Sequence, residues 1–100
     1  MHTIFINGNE YPNSIEAWVF SSNQITPLRR IYKHWDEFNK TINEICLLIK
    51  NYKPIQIIFE ENSEYEDSIW DAVTSKCNNE LDIGIDNSGK ITYYETYRLR

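Results

Sequence analysis

Ile55-Gln56-Ile57-Ile58-Phe59 is a nearly continuous apolar run between Pro54 and the acids Glu60 and Glu61. Five residues are too few for a buried helix, and the β-branched isoleucines favour a strand. A strand that is apolar at successive positions is covered on both faces, so this one is expected at the centre of a sheet.

Working outward, Phe38, Ile42, Ile45, Ile49 and Tyr52 recur at helical spacing before the run, and Cys46 and Leu48 widen the stripe. Asp36 is placed to cap this helix, and Pro54 ends it near Tyr52. After the run, Ser63-Glu64-Tyr65-Glu66 matches the capping box, with serine at the cap and glutamate three residues on. The helix it opens carries Tyr65, Ile69, Val73 and Cys77 on one side, with Ala72 beside them. Glu64, Asp67, Ser68, Asp71 and Ser75 share the other side.

The flanks read as strands. Thr3–Asn7 is a short buried strand closed by the turn signal Asn7-Gly8-Asn9, and Glu16–Phe20 is rich in aromatic and β-branched residues. Leu28–Tyr32 fits an edge strand or a short helix opened by Thr26-Pro27, with the strand preferred. Leu81–Ile85 alternates as a half-buried strand does, Asp86-Asn87-Ser88-Gly89 turns the chain, and Ile91–Leu99 returns. The expected fold is α+β: residues 1–100 as one domain, with a mixed, mostly antiparallel sheet of about five strands and two helices on one face.

Composition narrows the function classes. The apolar fraction of 41% is that of a folded chain. No positive segment precedes the short apolar run Ile4-Phe5-Ile6, so no signal peptide is expected. Nor does any stretch approach the roughly twenty apolar residues of a membrane span. These features lead us to expect a cytoplasmic protein. Cys46 and Cys77 both fall on inner helix faces and read as buried thiols, with a disulfide between the helices as the other reading. Two cysteines and two distant histidines lack zinc-ligand spacing, so neither metal nor other cofactor is expected.

The charge is lopsided. Residues 54–100 hold ten acids against four Lys/Arg, whereas residues 1–53 hold five against six. The net charge of −5 is therefore a property of the second half. Within it, Glu60, Glu61, Glu64, Glu66, Asp67 and Asp71 gather around Tyr65 and Trp70 with no intervening cation. Glu64 and Glu66 suit the first turn of a helix, where acids interact well with its dipole. A solvated acidic surface that aids solubility would account for the remaining acids. The alternative is a docking face for a basic partner, with Trp70 at the border of the apolar stripe as its anchor. The candidate partner-binding residues are Glu60, Glu61, Glu64, Asp67, Trp70 and Asp71.

By its size, its acidity, its Asn/Ile/Lys-rich composition and this acid-plus-aromatic segment, the chain resembles the small cytosolic immunity proteins that bacteria deploy against polymorphic or contact-dependent toxins. Ile4-Phe5-Ile6-Asn7-Gly8 is also similar to the first strand and turn of the barnase inhibitor barstar, although the barstar helices find no match here. The resemblance implies a non-enzymatic inhibitor whose carboxylates stand in for phosphates in the cleft of a toxin nuclease. It also implies a monomer or weak homodimer that contacts neither nucleic acid nor membrane directly.

Two other classes stay open. Arg29, Arg30 and His34, with Tyr32 and Trp35 close by, could serve a small nuclease or nucleic-acid-binding factor, with His2 and His34 as an acid/base pair. The net charge is opposite to that footprint. A phage- or plasmid-borne DNA mimic would share the acidic face but target a host enzyme. Cys46 is a poor nucleophile on an apolar helix face. Asp86-Asn87-Ser88-Gly89-Lys90-Ile91 imitates part of an EF-hand loop, with Glu95 at its closing position. The first ligand position falls on Gly84 and the flanks alternate as strands, so a hairpin turn is expected.

Overall fold

A computed structural model describes residues 1–9, 14–24, 26–60 and 65–94. The elements run β1 (His2–Asn9), β2 (Ser14–Ser21), β3 (Arg29–His34), a 3-10 turn (Trp35–Glu37), α1 (Phe38–Tyr52), β4 (Gln56–Phe59), α2 (Glu66–Glu80), β5 (Ile83–Ile85) and β6 (Ile91–Tyr93). The α+β class and the mostly antiparallel pairing are as expected. Among the described residues the strands number six and form two sheets, one of four strands in the order β3-β2-β1-β4 and a β5-β6 hairpin.

The centre of the larger sheet is not the Ile55–Phe59 run. β1 and β2 hold the inner positions, with β1 antiparallel to β2 (Ile4 opposite Val19, Ile6 opposite Ala17) and parallel to β4 (Ile4 opposite Ile57). β4 is the outermost strand of the four. Its outer side is met by the hairpin instead: the Ile57 amide donates to the Gly89 carbonyl (2.8 Å) and the Ile91 amide to the Ile55 carbonyl (2.9 Å). An edge strand can carry so apolar a sequence because neighbours on each face use it. Ile57 is buried under the helices, whereas Ile58 is only half-buried and Ile55 is exposed.

The core lies between one sheet face and the two helices. Ile4, Ile6, Ala17, Val19, Ile31 and Ile57 meet Ile42, Ile45 and Ile49 of α1 and Ile69 and Val73 of α2. The other sheet face presents Phe5, Trp18, Phe20 and Ile58, all half-buried, with the Phe5 and Phe20 rings perpendicular at 5.3 Å.

Helix ends depart from their sequence signals. Asp36 sits inside the 3-10 turn rather than at a cap, and Glu37 takes the N-cap position without a side-chain cap bond. The buried Thr41 hydroxyl donates to the Glu37 carbonyl (2.8 Å), occupying an acceptor in that first turn. α1 ends at Tyr52 as expected, with Lys53 left-handed (φ 50°) ahead of Pro54. The capping box does not form as read. Tyr65, not Ser63, holds the N-cap position of α2 with a left-handed backbone (φ 57°), so Glu66 opens the helix instead of closing a box. Tyr65 is consequently exposed rather than part of the buried stripe. Ser63 lies outside the described residues.

Leu28–Tyr32 resolves as a strand, shifted to Arg29–His34. β1 runs through Asn7-Gly8-Asn9 without turning there. The C-terminal strand is described only over Ile91–Tyr93, and its expected continuation to Leu99 lies largely outside the described residues. Gly89 is one position where glycine is required: φ is 86°, and a Cβ would run into the Ile57 carbonyl oxygen.

Candidate functional site

A groove of about 440 Å³ lies where the end of β4, the first turns of α2 and the β5-β6 turn converge. One wall is the strand segment Gln56–Phe59, and another is the turn residues Asn87 and Ser88. Glu66, Asp67 and Trp70 of α2 complete it. Helical spacing explains that last set, because residues three and four apart share a face. Trp70 is half-buried, its ring packed 6.1 Å from that of Phe59 at a tilt of 54°. It therefore serves both as packing under the sheet edge and as a surface open to the groove.

The turn wall is fixed to the strand by its own bonds. Gln56 Nε2 donates to the Ser88 carbonyl (3.2 Å), and Asp86 Oδ1 accepts from the Ser88 amide (2.9 Å), the Ser88 hydroxyl (2.7 Å) and the Lys90 amide (3.0 Å). Those bonds, the Ser88 side chain first, hold the Asp86 carboxyl below the ordinary aspartate range. The EF-hand imitation is thus a turn whose acid is satisfied by the Ser88 hydroxyl and two backbone amides of the same turn.

The structure divides the six sequence-predicted residues. Asp67 and Trp70 line the groove, and Asp71 is exposed one helical turn beyond Asp67. Glu60 does not join them: its amide donates to the Ile6 carbonyl (2.9 Å), and the residue lines a separate cleft with Phe5, Phe20 and Gln24 on the open sheet face. Glu61 and Glu64 lie outside the described residues. Sequence reasoning missed Phe59 as a wall and gave Glu66 only a capping role. An aromatic at the very end of an apolar strand was the available signal for Phe59. Nothing local could have shown that Asn87 and Ser88 fold back onto β4.

The residues of the alternative basic set, Arg29, Arg30 and His34, all fall on β3, where Arg29 is opposite Val19, Arg30 opposite Trp18 and His34 opposite Ser14. His34 pairs with Ser14, which in turn stands opposite Asn9, while His2 begins β1 seven residues away. That separates the two histidines by roughly 20 Å of strand. Among the described residues no group of three His, Cys, Asp or Glu could hold a metal ion, and no helix is long and apolar enough to cross a membrane. The chain matches no family model, and neither a curated protein nor a solved structure matches it.

Proposed function

We propose that this chain is a cytosolic, non-enzymatic inhibitor that binds and neutralises a basic protein, in the manner of an immunity protein facing a toxin nuclease. The observation that carries the reading is the groove at the α2 N-terminus. Its described lining holds two carboxylates, Glu66 and Asp67, an aromatic floor of Phe59 and Trp70, and no Lys or Arg. An aromatic anchor ringed by charge of one sign is a common interface layout. The wider acidity of the second half of the chain would steer a cationic partner towards it. Asp71 extends the negative surface, and the sequence positions Glu61 and Glu64 add charge to the segment leading into α2.

The test begins with the protein encoded beside this one. Binding to it and protection against its activity are measured for the wild type, Trp70→Ala, and the pair Asp67→Lys with Asp71→Lys. Expected are loss of affinity by more than about 2 kcal/mol for Trp70→Ala and a salt-sensitive fall in association rate for the charge reversals. Binding that survives these changes in folded protein would place the partner elsewhere, with the Glu60 cleft the next surface to test. Cleavage of RNA or DNA by the purified protein, abolished by His34→Ala, would replace the inhibitor reading with the enzymatic one.

A further inference from the structure

Cys46 of α1 and Cys77 of α2 are the chain's two cysteines, and the fold brings them together. Their sulfurs stand 3.9 Å apart in the seam between the helices, with 1% and 0% of each residue exposed. Close packing alone does not demand sulfur against sulfur, since a pair of small aliphatic side chains would fill a helix seam equally well. We propose that Cys46 and Cys77 form a site of reversible covalent oxidation: a peroxide-class oxidant converts them to a disulfide that clamps α2 to α1.

The chemistry balances without any further reactant. One of the two sulfurs attacks a peroxide oxygen; the O–O bond breaks, and a sulfenic acid and one water result. The other sulfur then attacks the oxidised one. The S–O bond breaks, and the hydroxyl departs with the attacking thiol's proton as a second water. Two thiols lose two electrons, and one peroxide becomes two waters. Either sulfur can take the first step, because the two are buried alike and lie within hydrogen-bonding distance of each other.

Geometry sets both the access and the partner. Sulfurs so buried are reached by a small oxidant only when the seam between the helices opens, and they face each other rather than a second molecule. Closing from 3.9 Å to a bonded pair takes about 2 Å of movement, through side-chain rotation and a small shift of a helix. α2 is the helix able to yield: it buries Ile69, Val73 and Cys77, against six side chains for α1. Because Cys77 lies on the inner side of α2 and Asp67 and Asp71 on the outer, the clamp fixes the seat of the acidic face. The inference stands whether or not that face binds a partner.

Reduced, purified protein is treated with hydrogen peroxide, quenched, unfolded, alkylated and analysed by intact mass and peptide mapping. Expected are the loss of two hydrogens, no alkylation and a Cys46–Cys77 crosslinked peptide. The thermal midpoint should rise by roughly 10 °C and fall back with dithiothreitol. In Cys46→Ala, which leaves no second sulfur in the seam, peroxide should give no intramolecular crosslink and no rise in the midpoint. Two alkylatable thiols, sulfinic or sulfonic acid without a crosslink, or disulfide-linked dimers would each overturn the proposal. A crosslink that lowers the midpoint would overturn the clamp. Should Cys46→Ala fail to fold, the wild-type crosslink and midpoint decide.

Discussion

Helices α1 and α2 are each fifteen residues long and face the same core, yet α1 buries six side chains and α2 only three. α1 lies against β2 and β3 and also touches α2, so its inner surface is taken up by packing. α2 touches β1, the β5-β6 hairpin and α1 from the end of the sheet, and its outer side is left to Asp67, Ser68, Asp71 and Ser75. Equal length therefore conceals different duties. α1 sustains the fold, whereas α2 needs just enough burial to stay in place and has surface to spare for recognition.

The contrast breaks most readily in the core. Ile45→Ala in α1 removes a side chain with no solvent exposure and should cost about 3–4 kcal/mol, whereas Val73→Ala in α2 should cost about 2 kcal/mol. Urea denaturation of both variants checks this, and equal losses would end the distinction. Native-state hydrogen exchange sharpens it, with α1 amides expected to exchange more slowly than those of α2.

Next in size is Gly89→Ala, at the joint between the hairpin and β4. The new methyl meets the Ile57 carbonyl oxygen at a backbone angle (φ 86°) that side chains rarely adopt. A loss of about 2–4 kcal/mol is expected in a thermal or urea melt. Because that joint also sets the turn wall of the groove, partner affinity should fall with it. Full stability in this variant would mean that the hairpin is not held to β4 as described.

These two variants also mark how far the sequence could be read. The stripe Phe38–Tyr52 identified α1 nearly to the residue, because one amphipathic face meeting one core is a local property. The run Ile55–Phe59 was legible as a strand but not as an outer one. Its apolarity comes from the helices beneath and from Phe59 stacking near Trp70, which are contacts distant in sequence. The capping box failed for a related reason. Ser63 and Glu66 have the right spacing, but Tyr65 turns left-handed and starts the helix later, so spacing alone did not determine where the backbone became helical. Of the site, Asp67 and Trp70 were readable because helix periodicity joins them, whereas the assignment of Glu60 failed because that residue lines the cleft with Phe5 and Phe20 on the open face of the sheet.

Charge reversal should barely register in stability. Asp67 and Asp71 are exposed, so Asp67→Lys with Asp71→Lys should cost less than about 1 kcal/mol, most of it from placing a cation in the first turn of α2. A large loss in a urea melt would show the acids to be structural and would leave the outer side of α2 with no surface to spare. A small loss joined to weakened binding is the outcome that separates recognition from folding.

The smallest effect concerns acid. The bonds that Asp86 accepts from Ser88 and Lys90 exist with the carboxylate ionised, so its folded pKa lies below the unfolded one. A group depressed in this way contributes stability that is fully present above the unfolded aspartate pKa, near 4, and disappears as pH falls through the folded value. The turn should therefore loosen only at acid pH and be indifferent to pH near neutrality. Carboxyl NMR titration should give Asp86 a midpoint below the ordinary aspartate range, and Ser88→Ala, which removes the first of those bonds, should move it upward. An unmoved midpoint would mean that the Lys90 and Ser88 amides alone hold the carboxylate. The Ser88 side chain would then have no part in shaping the wall opposite Trp70.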